Sequence, residues 1–359
     1  MTARNELMRR LDMAQPVIQA PMAGGGDTPD LVAAVANAGG LGSVGAAYLG
    51  PAQIAEAAQA VRTRTDRPFA INLFTPPDTP VPPFDATPML SRLKPYHEEL
   101  GIALPPVPTA PPRPDLSEQI GACLDCGAAV LSFTFGILPS DAIARAQQRG
   151  ILTVGTATTV AEAVALERAG VDAVVAQGAE AGGHRGTFLG DFEASLIGTM
   201  TLVPQIVDAV RIPVIASGGI MDGRGIAAAL ALGASAVQMG TAFLACAESG
   251  APSAYKAAMR TAAASDTAVT RAFSGRHARG LRNRAMTEID AAPGEILPFP
   301  YQNAMTRAMR TAAAQRGRTE YLSLWAGQGA GLARDIAATE LMRNLASETE
   351  DAIARLSRS

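Results

Sequence analysis

Short runs rich in Val, Ile and Ala alternate along the chain with longer Ala-rich stretches whose apolar residues recur at helical spacing. Eight runs read as strands, at 16–22, 41–47, 69–74, 129–136, 151–156, 173–178, 213–219 and 236–244. Most are continuously apolar rather than alternating, which suits a parallel sheet covered on both faces. Segments 30–38, 51–64, 115–125, 139–148, 160–169, 202–210 and 222–232 read as the intervening helices. Several of them run into glycine, at Gly39, Gly150, Gly170 and Gly233, where a left-handed C-cap is easiest to form. Eight strand–helix units predict an α/β fold of the TIM (β/α)8 barrel type.

Two stretches depart from the repeat. Segment 76–114 holds 13 of the 25 prolines and reads as a stiff, irregular excursion after the third strand. Beyond residue 244 the chain is Ala/Arg-rich and helical in character, broken at Pro293, Pro298 and Pro300. The expected organisation is therefore a barrel over 1–244, with the proline-rich insertion at 76–114, and a C-terminal helical cap segment over 245–359 packed on the barrel near its mouth. Residues 225–247 carry no charge over a length that could span a bilayer. Gly233, Ser235, Gln238, Gly240 and Thr241 divide them into a helix, a turn and a strand of the core, so no membrane segment is expected.

Composition narrows the chemistry. With 48% hydrophobic and 18% charged residues and a net charge of −3, the chain has material for a large core and no electrostatic footprint for nucleic acid. Its two lysines, Lys94 and Lys256, are followed by Pro95 and Ala257, which excludes a Walker phosphate loop. Three cysteines make no disulfide framework and point to the cytoplasm. Cys123 and Cys126 form a C-x-x-C with no second pair to complete a metal site. No G-x-S-x-G elbow and no zinc-binding H-E-x-x-H occurs.

In a barrel of this type the chemistry sits where the strands end. The seventh strand ends in Ser217-Gly218-Gly219 and the eighth carries Gln238-Met239-Gly240-Thr241, positions suited to holding a phosphate with backbone amides. Asn72 and Gln177 place neutral amides at the ends of the third and sixth strands, and such groups suit the donor–acceptor edge of a flavin. Ala181-Gly182-Gly183-His184-Arg185-Gly186 presents one imidazole at the mouth, and His184 is the expected proton-transfer group. His97 and His277 read as surface groups. Two glycine patterns, 40–45 and 223–228, match dinucleotide spacing in the wrong context, one inside a strand and one in the seventh unit. Arg271 to Arg284, with five arginines and no acid, reads either as an anion contact or as a surface.

These residues, together with Gln19-Ala-Pro-Met22-Ala-Gly-Gly, Tyr301-Gln-Asn303 and Trp325-Ala-Gly-Gln-Gly329, resemble the nitronate monooxygenases, formerly called 2-nitropropane dioxygenases. The resemblance implies an FMN flavoprotein that oxidises alkyl nitronates such as propionate 3-nitronate with dioxygen to a carbonyl compound and nitrite, a nitroalkane-detoxifying activity. Carried over by position, Met22, Asn72, Gln177, Gly182, Gly218, Gly219, Gln238, Met239, Gly240 and Thr241 would bind FMN, His184 would be the base or anion-stabilising group, and Tyr301 would touch substrate. The implied partners are a small anionic nitronate and dioxygen, with a homodimer as one assembly open to the chain. The alternatives are an FMN-dependent enoyl-acyl-carrier-protein reductase using NAD(P)H, a flavin-free phosphate-binding barrel isomerase, and a flavin-storing protein without turnover.

Overall fold

The computed structural model describes residues 5–75, 81, 83–109 and 113–358. Its strands are β1 (Val17–Gln19), β2 (Gly42–Gly45), β3 (Phe69–Phe74), β4 (Val130–Thr134), β5 (Leu152–Ala157), β6 (Ala173–Gln177), β7 (Gly183–His184), β8 (Val214–Ser217), β9 (Ala236–Met239), β10 (Thr267–Thr270) and β11 (Ala278–Leu281). Eight of them form one parallel sheet in the order β1-β9-β8-β6-β5-β4-β3-β2. Hydrogen bonds from Leu41 N to Val17 O and from Gln19 N to Leu41 O join its two ends, closing the expected TIM barrel.

The helices are α1 (Glu6–Arg10), α2 (Pro29–Asn37), α3 (Pro51–Arg62), α4 (Thr87–Glu99), α5 (Leu116–Asp125), α6 (Ser140–Gln148), α7 (Val160–Arg168), α8 (Thr199–Ala209), α9 (Gly223–Ala231), α10 (Thr241–Leu244), α11 (Ser253–Arg260), α12 (Arg284–Asp290), α13 (Tyr301–Gln315) and α14 (Ala338–Leu356). Local sequence sets their ends. The side chains of Thr28, Asp115, Thr159 and Asp222 accept from backbone N–H groups in the first turns of α2, α5, α7 and α9. Gly39, Gly150, Gly170 and Gly233 all take positive φ just past helix ends, as expected.

The core divides by side-chain parity. Outward strand residues such as Ile71, Phe133, Val174 and Val237 pack under the helices. Inward residues Ile18, Ala70, Leu152, Val175 and Ile215 fill the barrel, whose lower end is plugged by Leu7, Met8, Leu11 and Met13 from α1 and the turn after it. A third cluster joins α4, α11, α12 and α13 above the mouth.

Four expectations need correction. The proline-rich excursion contains a regular helix, α4, whose residues Met89, Leu93, Tyr96 and His97 are buried at helical spacing. Pro88 falls in its first turn, where no N–H is required. Residues 76–80, 82 and 110–112 of the excursion lie outside the described residues. The last barrel strand stops at Met239 instead of running to 244, because Gly240 turns the chain into α10. The segment read as wholly helical holds β10 and β11, which pair antiparallel and add β7 as a third strand. Finally, α14 does not lie over the mouth; it packs on α9 and α2 in the outer ring, burying Leu341, Met342 and Leu345.

Candidate active site

On strand after strand, the inward-facing residues change from apolar at the bottom to amide or hydroxyl at the top. Ala70 is followed by Asn72, Val130 by Ser132 and Thr134, Val154 by Thr156, Val175 by Gln177, Ile215 by Ser217 and Ala236 by Gln238. Because side chains alternate with period two, each polar residue stands directly above its apolar neighbour. Ladder register aligns Gln177 with Ser217 and Ser217 with Gln238 across three strands. The result is a polar floor to a cavity of about 590 Å³ at the C-terminal end of the barrel. That volume lies within the usual range for a small-ligand site.

The cavity is lined by Met22, Asn72, Gln177, Gly182, His184, Gly218, Gly219 and all four residues from Gln238 to Thr241. Not all of these side chains are free. Asn72 Nδ2 donates to Ser132 Oγ at 3.0 Å. Gln177 holds the next turn in place, with Nε2 donating to His184 O at 3.0 Å and Oε1 accepting from Gly186 N at 2.8 Å. Met239 buries its side chain in the outer core. Gly182 is required by packing: a Cβ there would stand 2.4 Å from Gly327 N. Gly218 and Gly219 take φ of +119° and +71°, a conformation that glycine alone adopts without strain, and both face the cavity.

Tyr301 is not brought to the cavity. Its ring packs on Phe84, 4.7 Å between centroids, within the cluster over the mouth. The N-terminal turn of α13 aims it there, and Asn303, Arg307 and Arg310 of the same helix face the cavity instead. Of the two other histidines, read as surface groups, His97 is not one and His277 is so only in part. His97 is buried, with Nδ1 2.7 Å from Ala103 O. His277 is half-buried and stacked on Phe192 at 3.7 Å. The arginine-rich stretch is largely tied down: Arg276 lies 3.9 Å over the Phe135 ring and donates to Thr187 O, and Arg279 donates to Ala179 O at 2.9 Å.

His184 is fixed from several sides. Its short strand β7 pairs with Ala278 and Arg279 of β11. The next residue, Arg185, is fully buried and donates to the carbonyls of Gln177, Gly178 and Ser195. The imidazole sits among Phe74, Phe135, Phe299 and Trp325, with centroids 5.6–6.2 Å away. Phe135 holds φ +85°, a strained conformation for an aromatic residue that turns its ring toward His184.

His184 Nε2 lies 2.9 Å from Ser274 Oγ. That hydroxyl gives its single proton to Arg276 O at 3.0 Å and accepts from Arg276 N at 3.2 Å. With the hydroxyl proton on Arg276 O, Nε2 is assigned as the donor and Nδ1 carries the lone pair. Burial, reinforced by Arg276 and Arg310, pushes the imidazole pKa down to about 3. The group is a neutral acceptor over the physiological range. Among the described residues no Asp or Glu lines the cavity, whereas Arg307 and Arg310 do.

The carboxylate of Asp27 shapes the glycine loop after β1. Asp27 accepts from Met22 N at 2.7 Å and Gly45 N at 2.5 Å, and burial raises its pKa to about 6. The thiol of Cys123 is pushed up by burial, while Cys126 Sγ points to Cys123 O at 3.1 Å. No metal-binding cluster occurs among the described residues, and none of their helices is long and apolar enough to cross a membrane.

Comparison with known proteins agrees in kind. The sequence model of the nitronate monooxygenase family matches residues 5–348. A probable nitronate monooxygenase from Staphylococcus saprophyticus is 42% identical over 347 residues, covering 96% of this chain and 97% of that protein. The crystal structure of a nitroalkane oxidase from Streptomyces ansochromogenes superposes with a TM-score of 0.90 at 40% identity, covering 98% of this chain and 100% of that one. FabK from Thermotoga maritima superposes with a TM-score of 0.78 at 31% identity, covering 99% of each chain.

Proposed function

The chain belongs to the nitronate monooxygenase family of oxidoreductases, and from that premise we propose that it is an FMN enzyme oxidising alkyl nitronates, propionate 3-nitronate among them, with dioxygen to a carbonyl compound and nitrite. The observation that carries this reading is a neutral, oriented imidazole at a cavity lined, among the described residues, by two guanidinium groups and no carboxylate. Such a cavity suits an anionic substrate and a phosphate-bearing cofactor.

The residues present fit FMN. A Cβ on Gly218 would come within 2.9 Å of Thr199 Oγ1, so this wall keeps its backbone bare for a phosphate. Gly218, Gly219, Gly240 and Thr241 would hold the phosphate. Asn72, Gln177 and Gln238 would meet the polar edge of the ring, with Met22 against it, and Gly182 and Met239 would contribute backbone. When bound, the flavin supplies the electron acceptor and the route of electrons to dioxygen.

The protein's own part is small, because a nitronate is already a carbanion equivalent. His184 Nδ1 would take a proton from the carbon next to the nitro group when a neutral nitroalkane enters. Ser274 keeps Nε2 protonated and the ring oriented. Phe74, Phe135, Phe299 and Trp325 would exclude water from the reacting carbon. Residues 1–244 would form the cofactor-binding barrel, and the later chain would close its mouth and complete its ring. A cytoplasmic, nitroalkane-detoxifying role follows from the same reading.

The test is an aerobic assay of the purified, FMN-loaded protein with propionate 3-nitronate, following oxygen uptake and nitrite. Nitrite release without a nicotinamide supports the reading. No nitrite, together with rapid bleaching of the flavin by NADH or NADPH, would replace it with the enoyl-acyl-carrier-protein reductase reading.

A further inference from the structure

We propose that Arg310 supplies the positive charge that binds the nitro-group oxygens of the nitronate and of the nitrite product, with Asn303 as the residue that positions it. The inference rests on the function proposed above and assigns a role that His184 cannot fill, since a neutral imidazole has no charge to offer an anion.

Arg276 and Arg310 act on His184 and Arg307 lines the same cavity; two of the three can be set aside. Arg276 is spent on Thr187 O and on the Phe135 ring, and it does not line the cavity. Arg307 is exposed at the mouth, where solvent screens it. Arg310, one turn further along α13, faces the cavity and is close enough to His184 to depress its basicity.

The surroundings of Arg310 point the same way. Its Nη2 donates to Asn303 Oδ1 at 2.8 Å and Asn303 O at 3.0 Å, and Nε donates to Thr306 Oγ1 at 3.2 Å. Thr306 can accept because its own proton goes to Phe273 O at 2.6 Å. Every partner is neutral, and no carboxylate of the described residues pairs with the guanidinium. Nη1 makes only a 3.5 Å contact, to Ser323 Oγ, and has a second N–H besides. A guanidinium locked on one edge, uncompensated in charge and open at Nη1 is built to receive an anion. Nitronate and nitrite each spread one negative charge over two coplanar oxygens, a shape that a planar fork of donors matches better than an ammonium does.

The experiment uses the FMN-loaded protein and its Arg310→Met, Arg310→Lys, Asn303→Ala and Arg307→Met variants, with flavin content and circular dichroism confirming that each folds. Nitrite is titrated by calorimetry, and KM and kcat are measured with ethyl nitronate. In Arg310→Met, the nitrite Kd and the nitronate KM should rise together by roughly 10- to 100-fold, the range expected for a lost charged hydrogen bond, with kcat reduced far less. Arg310→Lys should recover part of the loss, and Asn303→Ala should raise both constants by a smaller factor without changing flavin content. Unchanged nitrite and nitronate affinities in Arg310→Met, or a larger loss in Arg307→Met, would overturn the assignment. If Arg310 proves too important for folding to remove, the Lys and Asn303 variants decide alone. A wild-type protein that binds nitrite through Arg310 yet makes none from nitronates would overturn the proposed function and leave Arg310 as an anion-binding group only.

Discussion

Replacing His184 by Asn separates the two kinds of substrate. The lowering of its pKa from 6.5 to about 3 amounts to a preference for the neutral ring of about 5 kcal/mol, at roughly 1.36 kcal/mol per unit. Such a ring is always ready to accept a proton but holds it weakly. Neutral nitroalkanes, which must lose a proton, should therefore be poor substrates of the wild-type protein beside preformed nitronates. General-base assistance is usually worth about 10²- to 10⁴-fold, and a base this weak belongs at the low end. His184→Asn should lower kcat/KM for nitroethane about 100-fold and for ethyl nitronate less than about 5-fold. The nitronate profile should also show no His184 inflection near pH 6.5, because the group does not charge there. The assay is oxygen uptake from pH 5 to 9, with nitronate formed in advance or omitted. Equal losses on both substrates, or an acidic limb with an apparent pKa of 6 to 7 that the variant abolishes, would refute the reasoning.

Two further outcomes follow from the packing. Gly182→Ala puts a Cβ 2.4 Å from Gly327 N and 2.5 Å from Ala326 C; with backbone on the far side it should cost about 1–3 kcal/mol and lower flavin content, and an unchanged thermal midpoint would show that the turn and the roof do not press together. Asp27 should make stability fall as pH rises, since its carboxyl stays protonated in the fold up to about pH 6 but ionises near 3.8 when unfolded. Relative to Asp27→Asn, the wild type should lose roughly 2 kcal/mol between pH 4 and pH 7; urea midpoints for both proteins check this, and a gain over the same window would reverse the sign of the argument.

The barrel was legible because each of its units is local: an apolar run, a helix of matching length, and a glycine such as Gly170 or Gly233 to end it. The floor was half legible, since Asn72, Gln177 and Gln238 stand out as polar residues closing apolar runs. What escaped depends on distant parts of the chain. Two residues, Gly183 and His184, carry no strand pattern, and their partner lies past residue 277. Prolines hid the helical spacing of Met89, Leu93 and Tyr96. Arg310 could have been found, because Asn303, Arg307 and Arg310 form a polar stripe on a helix that otherwise buries Met305, Met309 and Ala313. Tyr301 drew attention in their place through its motif, although it sits where α13 begins and points away from the cavity.

The pairing of β7 with β11 also bears on how the protein comes to be made. During synthesis the barrel strands through Met239 can emerge and close while the hydroxyl and the strand that orient His184 are still unmade, for Ser274 and Ala278 come later. A nascent barrel would thus have its polar floor before it had an aligned imidazole. Competence for chemistry becomes one of the last properties the growing chain acquires.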